Sequence, residues 1–201
     1  MQRSKRNACS FVLFTPTYSC DNLNRIRHTY EYDNYGNRTK KDVTTYTYIN
    51  VNKLRYVDTN GSRVAEYDYD CFGNRRSKLV GGTATQFYYD NGKLLGEYRT
   101  GLKRLRYYYD LDGVCGFRYY NGSEWKRYTY VKDAMGSVIM IKNDAGLPLV
   151  RYLYDSYGKV TMTTLSTEAG DIGTINPFRW KSHYYDVETG LYYIDGRYYD
   201  K

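Results

Sequence analysis

The sequence predicts an all-β chain of consecutive antiparallel hairpins, and three observations predict it. The 201 residues include 28 Tyr, a strand-forming residue whose ring can supply the apolar area that the scarce Leu, Ile, Val and Phe do not. Only 3 Pro and 18 Gly leave room for many strands parted by glycine turns. A tyrosine pattern also recurs along the chain at a nearly fixed interval.

That pattern is Tyr-x-Tyr-Asp. It occurs at Tyr30, Tyr32 and Asp33, at Tyr67, Tyr69 and Asp70, at Tyr107, Tyr109 and Asp110, and at Tyr152, Tyr154 and Asp155. Degenerate copies end at Ile49, Asp90 and Val131. The fourth positions are therefore 33, 49, 70, 90, 110, 131 and 155, a period near 21 residues. Rings at i and i+2 share one face of a strand, and the Asp that follows stands where its carboxylate can cap a turn. Gly36, Gly73, Gly136 and Gly158 fall where such turns need positive φ, with Asp133 opening the third of them. Asn60-Gly61, Asn91-Gly92, Asp112-Gly113 and Asn121-Gly122 add tight-turn signals between units. One hairpin per repeat follows.

Organisation is read from where the pattern holds. Residues 1–16 do not fit it and read as a ragged or artefactual start. The repeats run over 17–160, beginning with a unit at Tyr18–Arg25 in which Cys20 replaces the second Tyr. The Thr-, Ser- and Gly-rich stretch 161–174 reads as a loop or linker, and 175–201 as a distinct closing segment.

The chemistry-bearing residues form no enzyme motif. The paired carboxylates Asp68 and Asp70, or Asp110 and Asp112, recur at one place in each repeat, so turn capping accounts for them better than catalysis or Ca²⁺ binding. His28 and His183 have no zinc-ligand spacing, and Cys9, Cys20, Cys71 and Cys115 form no C-x-x-C pair. A nucleophile elbow and a phosphate loop are both missing from the sequence. No cofactor is expected. The net charge of +8 is mostly dispersed and does not argue for a specific nucleic-acid partner. Rows of Tyr with Arg and Lys, as in Lys103-Arg104-Leu105-Arg106-Tyr107, match surfaces that stack on sugars, although the same rows must also pack between hairpins. The apolar run Phe11–Phe14 is too short for a signal-peptide core, and no stretch is long enough to span a membrane.

These repeats resemble the YD-repeat and RHS-repeat families, which include bacterial polymorphic toxins, wall-associated toxins and the animal teneurins. Two segments carry the resemblance: Asp133-Ala134-Met135-Gly136-Ser137-Val138, and a closing signature. The latter comprises Asn176, Pro177 and Phe178, then Asp186, Thr189, Gly190 and Leu191, then Arg197 and Tyr198. Ser182 departs from the family's usual glycine and Lys201 from its usual proline. The resemblance implies a hollow β-cocoon wound from hairpins around a C-terminal toxin, of which this chain supplies the last wall hairpins. It also implies an aspartate-proline-rich stretch and a variable toxic domain past Lys201. The expected function is a non-catalytic scaffold of a secreted or cell-surface bacterial protein used in contact-dependent competition. Its partners would be neighbouring repeats and the enclosed toxin, with wall polymers or carbohydrate as further candidates. Two alternatives stand beside it: an adhesive module for cell wall or carbohydrate, and a piece of a wall-associated toxin whose C-terminal domain is a nuclease.

Overall fold

The computed structural model of the chain describes residues 30–101 and 103–201. The expected ragged start, the Tyr18–Arg25 unit, Cys9, Cys20 and His28 lie outside them.

Fourteen strands form one antiparallel sheet in strict sequence order, each paired with its neighbours in the chain. They are β1 (Tyr30–Tyr32), β2 (Arg38–Lys41), β3 (Thr44–Ile49), β4 (Lys53–Thr59), β5 (Ser62–Tyr69), β6 (Arg75–Val80) and β7 (Thr83–Asp90). The ribbon continues through β8 (Lys93–Arg99), β9 (Lys103–Asp110), β10 (Gly113–Tyr120), β11 (Trp125–Lys132), β12 (Val138–Asn143), β13 (Pro148–Tyr154) and β14 (Val160–Thr164). This is the predicted all-β hairpin array.

Two turn chemistries hold the ribbon's hairpins. In the first, the repeat's Asp carboxylate replaces the missing backbone partners of the turn. Asp70 Oδ1 accepts the N–H of Phe72 at 2.9 Å and of Asn74 at 2.8 Å, while Gly73 at φ +85° donates to Asp70 O. Asp33, Asp133 and Asp155 hold their turns in the same way, around Gly36, Gly136 and Gly158. Asp110 closes a tighter turn, accepting only the Asp112 N–H. In the second chemistry both central residues take positive φ, as at Asn60-Gly61 and Asn91-Gly92. The three-residue loop Asn50–Asn52 also holds two residues at positive φ, Asn50 and Val51, with the Asn52 N–H donating to Asn50 O at 3.0 Å; Val51 at φ +74° is a β-branched residue where few are tolerated.

Alternate repeats, those of Tyr48, Tyr89 and Tyr130, are also bonded to the next beside their second tyrosine. Opposite or beside that tyrosine the returning strand carries one extra residue: Arg55 in β4, Leu95 in β8 and Ile139 in β12. Such a bulge disrupts the ladder. The hydroxyl of the following unit repairs it, with Tyr69 donating to Leu54 O, Tyr109 to Leu94 O and Tyr154 to Val138 O, at 2.6 to 2.7 Å.

The stretch 161–174 is not the loop expected from its composition. Its Thr-rich start is the end of β14, paired with β13, because β-branched residues suit a pleated strand and the ribbon's last full strand needs a partner. A 3-10 turn (Thr167–Ala169) and a one-turn helix α1 (Ile172–Ile175) follow, with Ala169 and Ile172 buried in the main core.

The closing segment does not extend the ribbon either. After a second 3-10 turn (Trp180–Ser182) it forms its own sheet of β15 (Tyr184–Asp186), β16 (Leu191–Ile194) and β17 (Arg197–Asp200). That sheet lies on the face carrying Tyr67, Phe87, Leu105, Tyr107, Phe117 and Tyr152, so the core sits between ribbon and closing segment.

Candidate functional site: the buried seat of the closing segment

Aromatic contacts seat the closing segment first. Phe178 meets the edge of Tyr107 at 4.8 Å, Tyr184 meets Phe87 at 5.6 Å, and Tyr198 lies 5.2 Å from Tyr67. At the far side Trp180 lies flat on Gly158, where a methyl group would sit only 2.8 Å from the indole. A glycine is needed there both for this approach and for φ +91°. The hydroxyls of Tyr192 and Tyr199 bond to Gly158 O and Tyr157 O beside it.

Asn176 is fully buried, and its amide is satisfied on both sides. Its Oδ1 accepts the Tyr130 hydroxyl at 2.5 Å, and its Nδ2 donates to Phe178 O at 2.7 Å. Pro177 O accepts the Tyr185 N–H at 2.8 Å. The Asp133–Gly136 turn doubles as a dock: Gly136 O accepts the Ser182 hydroxyl at 2.6 Å, and Ser137 Oγ accepts the Lys181 N–H at 3.1 Å. Ser182, the departure from the family's glycine, has φ +55°, and its hydroxyl bond offsets part of that strain.

Charge is buried in the same interface. Asp186, with no exposed surface, accepts Arg75 at 2.5 Å on one oxygen and Lys78 at 2.9 Å on the other, and Lys78 also reaches Glu188 at 2.9 Å. The Arg75 guanidinium is 1% exposed and lies 4.6 to 5.2 Å from the ring centres of Phe87, Tyr193, Tyr184 and Tyr67. Burial by itself would raise the Asp186 carboxyl, but Arg75 and Lys78 hold it below the usual carboxylate range. Glu97 behaves alike: burial opposes its charge, and Arg99 with the Tyr107 hydroxyl more than compensates. At the other end Asp200 accepts both Arg38 and Lys41 at 2.7 Å, tying β17 to β2. Arg179, 5% exposed, lies 4.5 Å from the Tyr185 ring centre and donates to Gly173 O.

The repeat residues Tyr67, Tyr69, Tyr107, Tyr109, Tyr152 and Tyr154 are all brought to this interface or its margin, Tyr32 lines a cavity with Leu191 and Tyr198, and Asp70, Asp110, Asp133 and Asp155 cap their own turns. Thr189 and Gly190 form the turn from β15 to β16, both donating to Asp186 O, and Leu191 enters the core beside Tyr46 and Leu54. Arg197 is exposed after the Asp195-Gly196 turn. Sequence reasoning missed Arg75, Lys78, Glu97, Arg99, Arg179 and Asp200 as partners. Alternation does not signal Arg75 or Glu97, because a bulge beside each shifts the phase and leaves them in step with the exposed Leu79 and Leu95. The candidate carboxylates are not gathered into a centre: Asp68 pairs with Arg55 and Asp70 caps its turn. Among the described residues no three His, Cys, Asp or Glu side chains are grouped to hold a metal ion.

No protein-family model matches the chain. It is 37% identical over 174 residues to the tRNA3(Ser)-specific nuclease WapA of Bacillus spizizenii, covering 84% of this chain and 7% of that protein. The tRNA nuclease WapA of Bacillus subtilis is 36% identical over the same shares. The chain thus spans under a tenth of the length of these relatives. Among solved structures, the TcdB2-TccC3-Cdc42 crystal structure superposes with a TM-score of 0.64 at 15% identity, over 84% of this chain and 9% of that one. The Photorhabdus luminescens Tc holotoxin pore gives 0.60 at 14% identity, with the same coverage. Sequence likeness to the WapA nucleases and fold likeness to the Tc toxin chains agree with the repeat, the bulge-bonded hairpins and the closing signature: the chain is a run of YD/RHS repeats ending in the RHS repeat-associated core signature.

Proposed function

We propose that the chain is a length of shell wall, a non-catalytic scaffold that helps enclose or deliver a C-terminal toxin in contact-dependent bacterial competition. The observation that carries this reading is the seat of the closing segment. Buried charges such as Asp186 and Glu97 are each engaged by cations that bind two parts of the chain together or stiffen one of them. They serve closure, and the strongly perturbed groups of the molecule are spent on it. The nuclease activity of the WapA relatives then belongs to a part of those proteins outside the matched segment. Neighbouring repeats and the enclosed domain are the natural partners, and a secreted or surface location follows the wall-associated relatives. Among the described residues no helix is long and apolar enough to cross a membrane.

Two experiments test this. The purified chain, incubated with total tRNA, should leave it intact. Cleavage that survives repurification and is lost in Glu97→Gln would overturn the non-catalytic reading. In the parent polypeptide, a protease site introduced beyond residue 201 should be shielded in the native protein and cut readily in Asp186→Asn. Equal cutting in both would overturn the enclosure.

A further inference from the structure

The last strand of the ribbon has an open edge. β14 pairs with β13 on one side, and among the described residues no strand pairs with it on the other. After Leu165 the chain turns back across the sheet instead of running along this edge: Glu168 accepts the Asn143 amide at 3.1 Å, and Ala169 and Ile172 enter the main core. The ladder decides which backbone groups face outward. The Leu165 N–H donates to Leu149 O at 2.8 Å, so Thr161 and Thr163, in step with Leu165, bond to β13, while Val160, Met162 and Thr164 turn their N–H and C=O groups away from it. Those outward groups have no hydrogen-bond partner among the described residues.

Unpaired edges are usually blunted by a charge, a proline or a bulge. This one is not. Val160–Thr164 reads Val-Thr-Met-Thr-Thr, uncharged and rich in β-branched residues, and its register with β13 is unbroken. Met162 Sδ packs on α1, 2.6 Å from where a Cβ on Gly173 would sit, so the helix backs the strand. Leu153, beside Thr161 on β13, is 59% exposed, and Met162 and Leu165 are each 41% exposed, which leaves apolar surface flanking the edge.

We propose that β14 pairs with β14 of a second copy of the chain, antiparallel and centred on Met162. The strand is chemically symmetric about that residue: Thr161 and Thr163 flank it, and the β-branched Val160 and Thr164 flank those. An antiparallel pair centred there sets Met162 opposite Met162 and Val160 opposite Thr164, all of them outward-facing residues. Every outward N–H of each copy then donates to an outward C=O of the other. Thr161 stands opposite Thr163 at the closer, non-hydrogen-bonded positions, where threonine pairs are favourable. A shift by one residue would set outward groups against inward ones, and a shift by two would leave an end pair unmatched. The contact is the same patch on both copies, so it closes as a dimer and does not propagate. It is independent of the shell reading, because β14 ends the sheet whatever the ribbon encloses.

The test follows the whole chain by sedimentation equilibrium up to about 1 mM, where a monomer–dimer equilibrium should appear. As the dimer fills, amide hydrogen exchange should slow at Val160, Met162 and Thr164, whereas Thr161 and Thr163, bonded to β13, should be protected at every concentration. Met162→Pro removes an outward N–H without touching the ladder to β13 and should weaken association about tenfold or more. Two charged variants separate pairing from any folding defect. Thr161→Lys/Thr163→Lys and Thr161→Glu/Thr163→Glu should each be monomeric, and their mixture should dimerise one to one, because the register sets each Lys opposite a Glu. A native chain that stays monomeric over this range, a dimer in which those three amides exchange no more slowly, association unchanged by Met162→Pro, or charged variants that fail to pair when mixed would each overturn the proposal.

Discussion

The ribbon and the closing segment are built from the same tyrosines but are held together in different ways. In the ribbon almost every stabilising contact is local: an aspartate caps a turn four residues long, and a tyrosine hydroxyl reaches a carbonyl 15 or 16 residues back. The closing segment is held to the ribbon by contacts distant in sequence, and its ion pairs, Arg75 with Asp186 and Arg38 with Asp200, span more than a hundred residues. Local contacts are many and individually small, so losing one leaves its neighbours in place. The long-range ones are few and desolvated. Losing one partner strands a buried charge.

Four substitutions and an acid titration separate these regimes. The largest effect is expected from Asp186→Asn, which leaves the buried Arg75 guanidinium without its counter-charge and should cost about 3 to 5 kcal/mol. Hydrogen exchange should show β15–β17 losing protection before the ribbon does. Acid should do the same to the native chain. Asp186, Glu97 and Asp200 are all held below the usual carboxylate range, so their contribution is complete above the unfolded value near pH 4 and disappears as pH falls through the lower folded values. Release of the closing segment should therefore precede loss of the ribbon's β signal in an acid titration followed by Tyr and Trp fluorescence.

Gly158→Ala comes next. It places a methyl group against Trp180 at a backbone angle that disfavours any side chain, and about 2 to 3 kcal/mol should be lost by chemical denaturation. Asp70→Ala removes the acceptor of two turn N–H groups in one hairpin and should cost about 1 to 2 kcal/mol, without loosening the closing segment in hydrogen exchange. The smallest change should be a gain. Val51→Gly relieves a β-branched residue at φ +74° and should raise stability by roughly 1 kcal/mol, visible as a higher Tm.

The ribbon was legible in the sequence because its order is local. A two-residue alternation, an Asp and a Gly at fixed offsets and a period near 21 define each hairpin without reference to any other, and the hairpins from β1 to β14 follow them. The stretch 161–174 was not legible, because its composition argues for a loop while its strand exists only through pairing with β13. The seat of the closing segment was half legible. Asn176, Phe178, Asp186 and Tyr198 stand out as a signature, but nothing along the chain says that Arg75 and Lys78 are the partners of Asp186, or Arg38 that of Asp200. An arginine between two strand-turn signals reads as a solvated residue until a segment folds over it from a distance.

The most direct measurement is a double-mutant cycle on the pair that joins the two regions, using Arg75→Met, Asp186→Leu and the two together, with stability read by urea unfolding. Asp186→Leu strands the buried Arg75 and Arg75→Met leaves Asp186 with Lys78 alone, whereas the double change replaces both members of the pair with apolar side chains inside an aromatic cage. The double variant should be more stable than either single one, with a coupling of at least about 2 kcal/mol. Additive losses, with the double variant the least stable of the three, would contradict the claim that this buried pair locks the closing segment onto the ribbon.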